Sequence, residues 1–412
     1  MRVLWVKSDF PLPPDTGGKI RTLNLLTELA KNAEITFLSY IPPHMEAGLI
    51  ATFSSRGIRV EPVPFPEENK EGLAFQIRVL SRLPSSRPYV VNKYISRLMI
   101  ERLQSLISSA GFDVLVCDFL EMAWCADHAG KVPTVLFEHN VETQIWRRYH
   151  ETEASWPKRL YFSYEKRRME RYERRACSAV DLVLTVSDTD SQFLRQKFGI
   201  QKCITVPTGV DTAYFRPQGT EVQNRLVFCG SMDWMPNIDA FWWFYRSVYP
   251  RVKEHVPDAT FTVIGRKPPK EISNAAAADM SLKVTGSVAD VRPYIAEGQL
   301  YVVPLRIGGG TRLKIYEAMA MRKCVISTTI GAEGLPLSSG ANLFLADDPG
   351  EFADLITKLL AEPTERNRVA EAGYHHVLEH GSWVRSAKIL ADALHQAVEG
   401  KRSIQSRMPE NL

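Results

Sequence analysis

Three glycines, two cations and one carboxylate fall within the ten-residue run Gly308-Gly309-Gly310-Thr311-Arg312-Leu313-Lys314-Ile315-Tyr316-Glu317. Glycines let a backbone approach a ligand closely, because no Cβ intervenes. Free N–H groups at a helix start, with the positive end of the helix dipole, favour an anion. Arg312 and Lys314 add mobile positive charge beside that anion, and Glu317 can accept hydrogen bonds from a pair of ribose hydroxyls. The combination suits a clamp on a nucleoside diphosphate. Its position agrees: the β-rich run Gln299–Val303 precedes the glycines, and Ile315, Ala318 and Met319 recur at helical spacing after them. The glycines thus mark the passage from a strand to a helix.

Read alone, the triplet is equally an ordinary loop, with Glu317 a solvated helix residue. It is neither a P-loop, which needs Gly-Lys-Ser/Thr, nor the Gly-x-Gly-x-x-Gly dinucleotide fingerprint. The wider pattern is more specific. Gly308-Gly309-Gly310-Thr311-Arg312-Leu313-Lys314, then Glu317-Ala318-Met319-Ala320 and Gly331-Ala332-Glu333-Gly334-Leu335, resembles the donor-binding signature of retaining glycosyltransferases of family 4. That resemblance implies a nucleotide-diphosphate-sugar donor, no cofactor and no bound metal.

At 412 residues the chain is long enough for two domains. Its six cysteines are dispersed, without paired C-x-x-C spacing, and read as small buried residues of a reducing cytoplasm rather than a zinc or disulfide framework. The apolar start Met1–Val6 suits a first strand and is too short for a signal peptide. No run approaches the ~20 apolar residues of a membrane span, so membrane contact is expected to be peripheral. Net charge is +4, yet Trp146–Arg175 holds ten basic and five acidic residues. With its interleaved aromatics, that segment reads either as a surface for anionic lipid or as a solvated helix laced with Glu–Arg pairs. No nucleic-acid-binding module accompanies it.

Short β-branched runs alternate with helical patterns: Val3–Val6, Ile35–Ser39, Val114–Cys117, Thr134–Phe137, Leu182–Val186 and Ile204–Val206, then Leu226–Cys229, Phe261–Ile264, Leu282–Val284, Leu300–Val303, Val325–Ser327 and Leu343–Leu345. Alternation of this kind predicts parallel sheets covered by helices, an α/β class in two doubly wound halves. The seam falls in Pro207–Gly219, where Pro207-Thr208-Gly209-Val210-Asp211 and Phe215-Arg216-Pro217 resemble the same family's interdomain linker. The resemblance implies the GT-B architecture, two Rossmann-like domains facing across a cleft. We expect an N-terminal acceptor domain at 1–207, joined by a crossing helix within 382–412, and a nucleotide-sugar domain at 208–381. Residues after Lys401 are polar and patternless and are expected to fray.

Further candidates follow strands, where doubly wound sheets bind ligands. Gly17 and Gly18 in Asp15–Arg21 follow the first strand; related loops in the family touch donor phosphate or acceptor, though two glycines also suit a plain turn. His139 in Phe137-Glu138-His139-Asn140-Val141-Glu142 resembles a family motif whose histidine reaches the donor sugar, while a lone histidine is otherwise a common structural hydrogen-bonder. Arg266 offers a forked contact to a diphosphate oxygen or a solvated surface charge. Ser287 and Val288 lie in a loop resembling the one that meets the nucleobase. Two departures stand out. Gly309 replaces a glutamate that the family uses on the sugar, and Ser231 with Met235-Pro236-Asn237 replaces an Arg and a Lys. The resemblance implies transfer of a sugar, with retention, to a hydroxyl of a glycan or glycolipid. A nucleotide-sugar 2-epimerase and a non-catalytic nucleotide-sugar binder are the alternatives.

Overall fold

The computed structural model describes residues 1–42, 45, 47–65, 77, 81, 85–153, 155–307 and 312–405. Gly308, Gly309, Gly310 and Thr311, expected to contact phosphate, lie outside the described residues. The chain divides into two compact units, Met1–Pro207 with Val384–Leu412, and Thr208–Trp383.

The first unit is built on seven strands, β1 (Arg2–Lys7), β2 (Glu34–Ile41), β3 (Ile58–Pro64), β4 (Val114–Asp118), β5 (Thr134–Phe137), β6 (Leu182–Thr185) and β7 (Cys203–Thr205). All pair in parallel in the order β3-β2-β1-β4-β5-β6-β7. β4, β5 and β6 are buried at every position, as strands covered on both faces must be. The order reverses between β1 and β4, so the carboxyl ends of those two strands are where a ligand is expected. The helix Gly17–Leu29 returns the chain from β1 to β2, and the Thr16 side chain caps it by accepting from the Lys19 amide at 3.3 Å.

β3 was not anticipated from the sequence, because Pro62 and Pro64 interrupt its apolar run. It is an edge strand, with Pro62 opposite Ser39 and Pro64 opposite Ile41. An edge tolerates residues that lack a ladder N–H. The expected fraying after Lys401 is corrected as far as Gln405, and residues 406–412 lie outside the described residues. Helix Trp383–Gln405 continues past Lys401, whose ammonium bonds both Asp181 oxygens at 3.0 and 2.9 Å, while Arg402 reaches Asp113 at 3.1 Å. These charged contacts hold the end of the helix at Lys401 and Arg402.

The second unit has six parallel strands, β8 (Arg225–Cys229), β9 (Thr260–Ile264), β10 (Leu282–Val284), β11 (Leu300–Val303), β12 (Val325–Ser327) and β13 (Phe344–Leu345), in the order β10-β9-β8-β11-β12-β13. Its reversal lies between β8 and β11. A Cβ built on Gly265, just after β9, would stand 1.9 Å from the Gly230 carbonyl oxygen just after β8. Only glycine permits that approach, which brings the loops after β8 and β9 together. Helix Leu313–Ala320 follows β11, with no side-chain cap at its start and every residue but Lys314 buried.

Candidate functional site

Because the strands of the second unit run parallel, the loops after β8 to β11 emerge at one edge of the sheet. The Leu313–Ala320 helix begins at that edge. Glu317 and Lys314, three residues apart, share one side of the helix. Glu317 is 9% exposed, so it is a buried carboxyl and not a solvated one. Among the described residues none donates a hydrogen bond to it. Burial, opposed by the nearby Lys314 charge, raises its carboxyl to about 7. Burial also lowers the Lys314 ammonium to about 8, and that ammonium donates to Asn237 Oδ1 at 2.9 Å and lies 4.9 Å from the centroid of the Phe228 ring. Both groups are thus held against their charged forms.

The expected mobile charge at Arg312 needs correction. Its side chain is buried, donating to the Ile330 carbonyl at 2.8 Å and lying 3.6 Å from Glu333. It braces the start of the helix against the 330–333 turn. Arg266 is 3.4 Å from Asp233 with its side chain 25% exposed. Ser287 is exposed, and Val288 packs partly on the core. Asn237 was noted in the sequence only as a departure. Its role is visible in three dimensions, where its Nδ2 donates to the Ser231 carbonyl at 2.8 Å while its oxygen receives Lys314.

The first unit gathers a second set at the carboxyl ends of β1, β4 and β5. Asp118, fully buried, accepts from Trp5 Nε1 at 3.0 Å, Thr22 Oγ1 at 2.7 Å and His139 Nε2 at 2.5 Å, and the Lys7 ammonium lies 3.5 Å away. Burial resists ionisation of Asp118, yet Lys7 and His139 outweigh it and hold the carboxyl below its ordinary value. Burial pushes His139 down to about 4 against the pull of Asp118. At neutral pH the pair is therefore a carboxylate and a neutral imidazole. An ionised carboxylate only accepts, so Nε2 carries the imidazole proton.

Phe119 fixes the ring. It has φ 78°, a left-handed value that costs a bulky residue about 1–3 kcal/mol. In return its ring stacks on His139 at 3.9 Å and 13°, with the Lys7 ammonium 3.9 Å from its centroid. Gly18 makes room, since a Cβ there would meet Phe119 Cζ at 2.6 Å; Gly17 beside it is exposed. Sequence reading found His139 and Gly18 but missed Lys7 and Asp118. The signal was a charged residue ending each of two apolar strands.

The Trp146–Arg175 segment forms the helices Glu142–Thr152 and Trp156–Ala179. Part of its expected lipid-facing surface packs against the protein itself. Trp146 packs on Tyr149, Tyr161 and Phe162, and Arg168 is buried against Glu165 and the Ser85 carbonyl. Trp156, Leu160 and Tyr164 remain exposed, as do Arg167, Arg171, Arg174 and Arg175.

Two parallel, doubly wound α/β units define a Rossmann-like pair, and known families agree with that class. The profile of Glycosyltransferase Family 4 matches residues 16–214, and that of Glycosyl transferases group 1 matches residues 223–362. The chain belongs to the GT-B glycosyltransferases related to these two groups. A protein of Klebsiella pneumoniae, described as an uncharacterized 44.6 kDa protein in a cps region, is 24% identical over 229 residues. The match covers 53% of this chain and 57% of that protein.

Solved structures extend the likeness of fold to nearly all of the chain. Sucrose-phosphate synthase from Thermosynechococcus elongatus aligns over 97% of this chain and 100% of its own, with a TM-score of 0.74 and 13% identity. HepE of Anabaena, in complex with UDP and glucose, aligns over 96% and 99% at 0.67 and 14%. WaaG, a glycosyltransferase involved in lipopolysaccharide biosynthesis, aligns over 95% and 99% at 0.65 and 13%. Among the described residues, no group of three or more His, Cys, Asp and Glu is arranged to hold a metal ion, and no helix is long and apolar enough to cross a membrane.

Proposed function

We propose that the chain transfers a sugar, with retention, from a nucleotide-diphosphate-sugar to a hydroxyl of a glycan or glycolipid, without a metal ion. The observation that carries the reading is the Glu317–Lys314 pair at the carboxyl edge of the second sheet, the buried carboxyl with no hydrogen-bond donor among the described residues and the ammonium lowered to about 8. A nucleotide supplies what both lack. Its ribose hydroxyls would donate to Glu317, and its diphosphate would restore full charge to Lys314. Arg266 and the amides around Gly308–Thr311 would meet the remaining phosphate oxygens, with Ser287 and Val288 beside the base.

In the transfer, the bond from the anomeric carbon to the departing phosphate oxygen breaks. The acceptor oxygen bonds to the same carbon on the same face, and its proton passes to the departing phosphate. The protein's contribution is electrostatic, through fixed positive charge where negative charge accumulates. His139, with its ring fixed by Asp118 and Phe119, would act on the sugar as charge separates. Its replacement by alanine should then lower kcat more than nucleotide affinity. Exposed Trp156, Leu160 and Tyr164, with the four arginines beyond them, support a peripheral site of action on the cytoplasmic face of an anionic membrane.

Incubation with UDP-, GDP- and ADP-sugars tests the reading, with UDP-sugars first because HepE has been solved with UDP-glucose. Sugar release or transfer that persists in EDTA supports it. A 2-epimer marks an epimerase, and protection against melting without turnover marks a binder.

A further inference from the structure

The helix Glu142–Thr152 begins three residues after His139, and no side chain at its own start caps it. Its cap comes from the neighbouring helix Trp156–Ala179. Glu173 on that helix is fully buried, and its two carboxylate oxygens accept one each from the amides of Glu142 at 2.6 Å and Thr143 at 3.1 Å. A carboxylate is also the group that the positive end of a helix dipole favours. At the other end of the turn, the Glu138 amide donates to the Leu184 carbonyl of β6 at 2.8 Å. The backbone that carries His139 is thus held on both sides, by a strand before it and by Glu173 after it.

A second carboxyl lies close by. Glu138 is buried, and among the described residues its carboxyl receives only the Cys177 thiol, at 3.7 Å. A thiol is a weak donor. Two carboxyls this deep do not both ionise, and their partners decide which one does. Burial and the charge of Glu173 hold Glu138 well above its ordinary value. Burial, aided by Asp190, raises Glu173 only to about 7, because the two amides favour its charged form. The negative charge therefore belongs to Glu173, and Glu138 keeps its proton. The tolerance for movement is small, since His139 Nε2 lies 2.5 Å from Asp118 and its ring 3.9 Å from that of Phe119. A turn displaced by about 1 Å loses the first of these contacts.

We propose that Glu173 is a positioning residue for His139: by capping the helix that follows, its carboxylate sets the backbone of the 138–141 turn and with it the place of the imidazole. The proposal rests on the transferase reading only for the action of His139 on a sugar, since the place of the imidazole is measurable without turnover. Imidazole resonances of His139 in the full chain, followed by NMR across pH, report that place. Steady-state kinetics beside nucleotide titration report its use.

In the parent the ring should stay neutral down to about pH 4. Glu173→Gln keeps the shape but turns an amide NH2 toward a backbone N–H, so the turn should shift and the ring should gain water. Its titration should then move up by about one unit or more, toward the ordinary 6.5. Turnover should fall roughly tenfold to a hundredfold, with nucleoside diphosphate affinity unchanged. Glu138→Gln removes a carboxyl that is already neutral and should match the parent in both. Glu173→Asp keeps the charge on a shorter arm and should fall between parent and Glu173→Gln, which supplies the test where Glu173→Gln does not fold. A parental His139 titration in the folded Glu173 variants, or equal shifts from Glu138→Gln and Glu173→Gln, would overturn the proposal. Inertness toward every nucleotide-sugar, with His139 still displaced in Glu173→Gln, would count against the transferase reading alone.

Discussion

The two units place charged residues at the same topological point, the carboxyl edge where strand order reverses, yet treat them in opposite ways. In the first unit Asp118 has three hydrogen-bond donors and an ammonium within 3.5 Å, so its charge is met inside the protein. In the second unit, among the described residues, Glu317 has no donor, and Lys314 donates to the neutral Asn237 and lies over the Phe228 ring. The first arrangement is a scaffold that stabilises itself and orients an imidazole. The second leaves its groups open, and in the proposed function a ligand with hydroxyls and phosphate would complete it. A buried charge with its own partners contributes to the fold, whereas one without them is poised for a ligand.

The largest expected effect tests the scaffold. Asp118→Ala leaves the buried Lys7 facing the half-exposed Asp9 at 3.5 Å and unpairs the Trp5, Thr22 and His139 donors, and should cost about 3–5 kcal/mol of stability, as breaking a buried ion pair does. Denaturant unfolding measures it, and a loss below about 1 kcal/mol would mean that Asp118 is not the hub.

Acid titration tests the same network through His139. Its folded value of about 4 lies below the unfolded value near 6.5, so the contribution to stability is complete above 6.5 and lost as pH falls through 4. At 1.36 kcal/mol per unit this is about 3 kcal/mol. His139→Gln should lose that much less stability than the parent between pH 7 and pH 4. Parallel stability curves would show that the imidazole is not held neutral.

Smaller effects belong to the second unit, where affinity should change instead of stability. Lys314→Ala should weaken a nucleoside diphosphate by about 1.5–3 kcal/mol, the value of a charged hydrogen bond, and barely touch the free nucleoside. Because phosphate binds the charged ammonium, parental affinity should fall as pH rises through about 8 and approach that of the variant. Equal losses for nucleoside and diphosphate would misplace the phosphate. Asn237→Ala should cost least, about 0.5–1.5 kcal/mol of diphosphate affinity, by releasing the ammonium it holds. No change there would make Asn237 a loop residue only.

Most of the fold was legible because buried parallel strands are near-continuous apolar runs, and twelve of them could be read as such. β3 escaped because prolines argue against a strand, and only its edge position reconciles them. Near the second sheet, Lys314 and Glu317 were singled out by the family resemblance of the run after the glycines, and that Glu317 is buried and not solvated emerged only from the structure. Arg312 was misread as mobile, since its partners Ile330 and Glu333 belong to a turn whose return to the helix start no local pattern announces. Lys7 and Asp118 lie 111 residues apart in sequence and meet through the pairing of β1 with β4. Their ionic contact is a product of topology, and the aromatic cluster around Trp146 is likewise visible only once two helices pack.

Nucleoside diphosphate affinity of Glu317→Gln, measured by calorimetric titration beside the parent and paired with denaturant unfolding of both, tests the central contrast most directly. Glutamine keeps the shape and removes the charge that the ribose hydroxyls would meet. We predict a loss of about 1.5–3 kcal/mol in affinity, with stability unchanged or raised because a buried ionisable group has been neutralised. Unchanged affinity, or an affinity loss that only tracks a loss of stability, would contradict the assignment of the second unit as the nucleotide site.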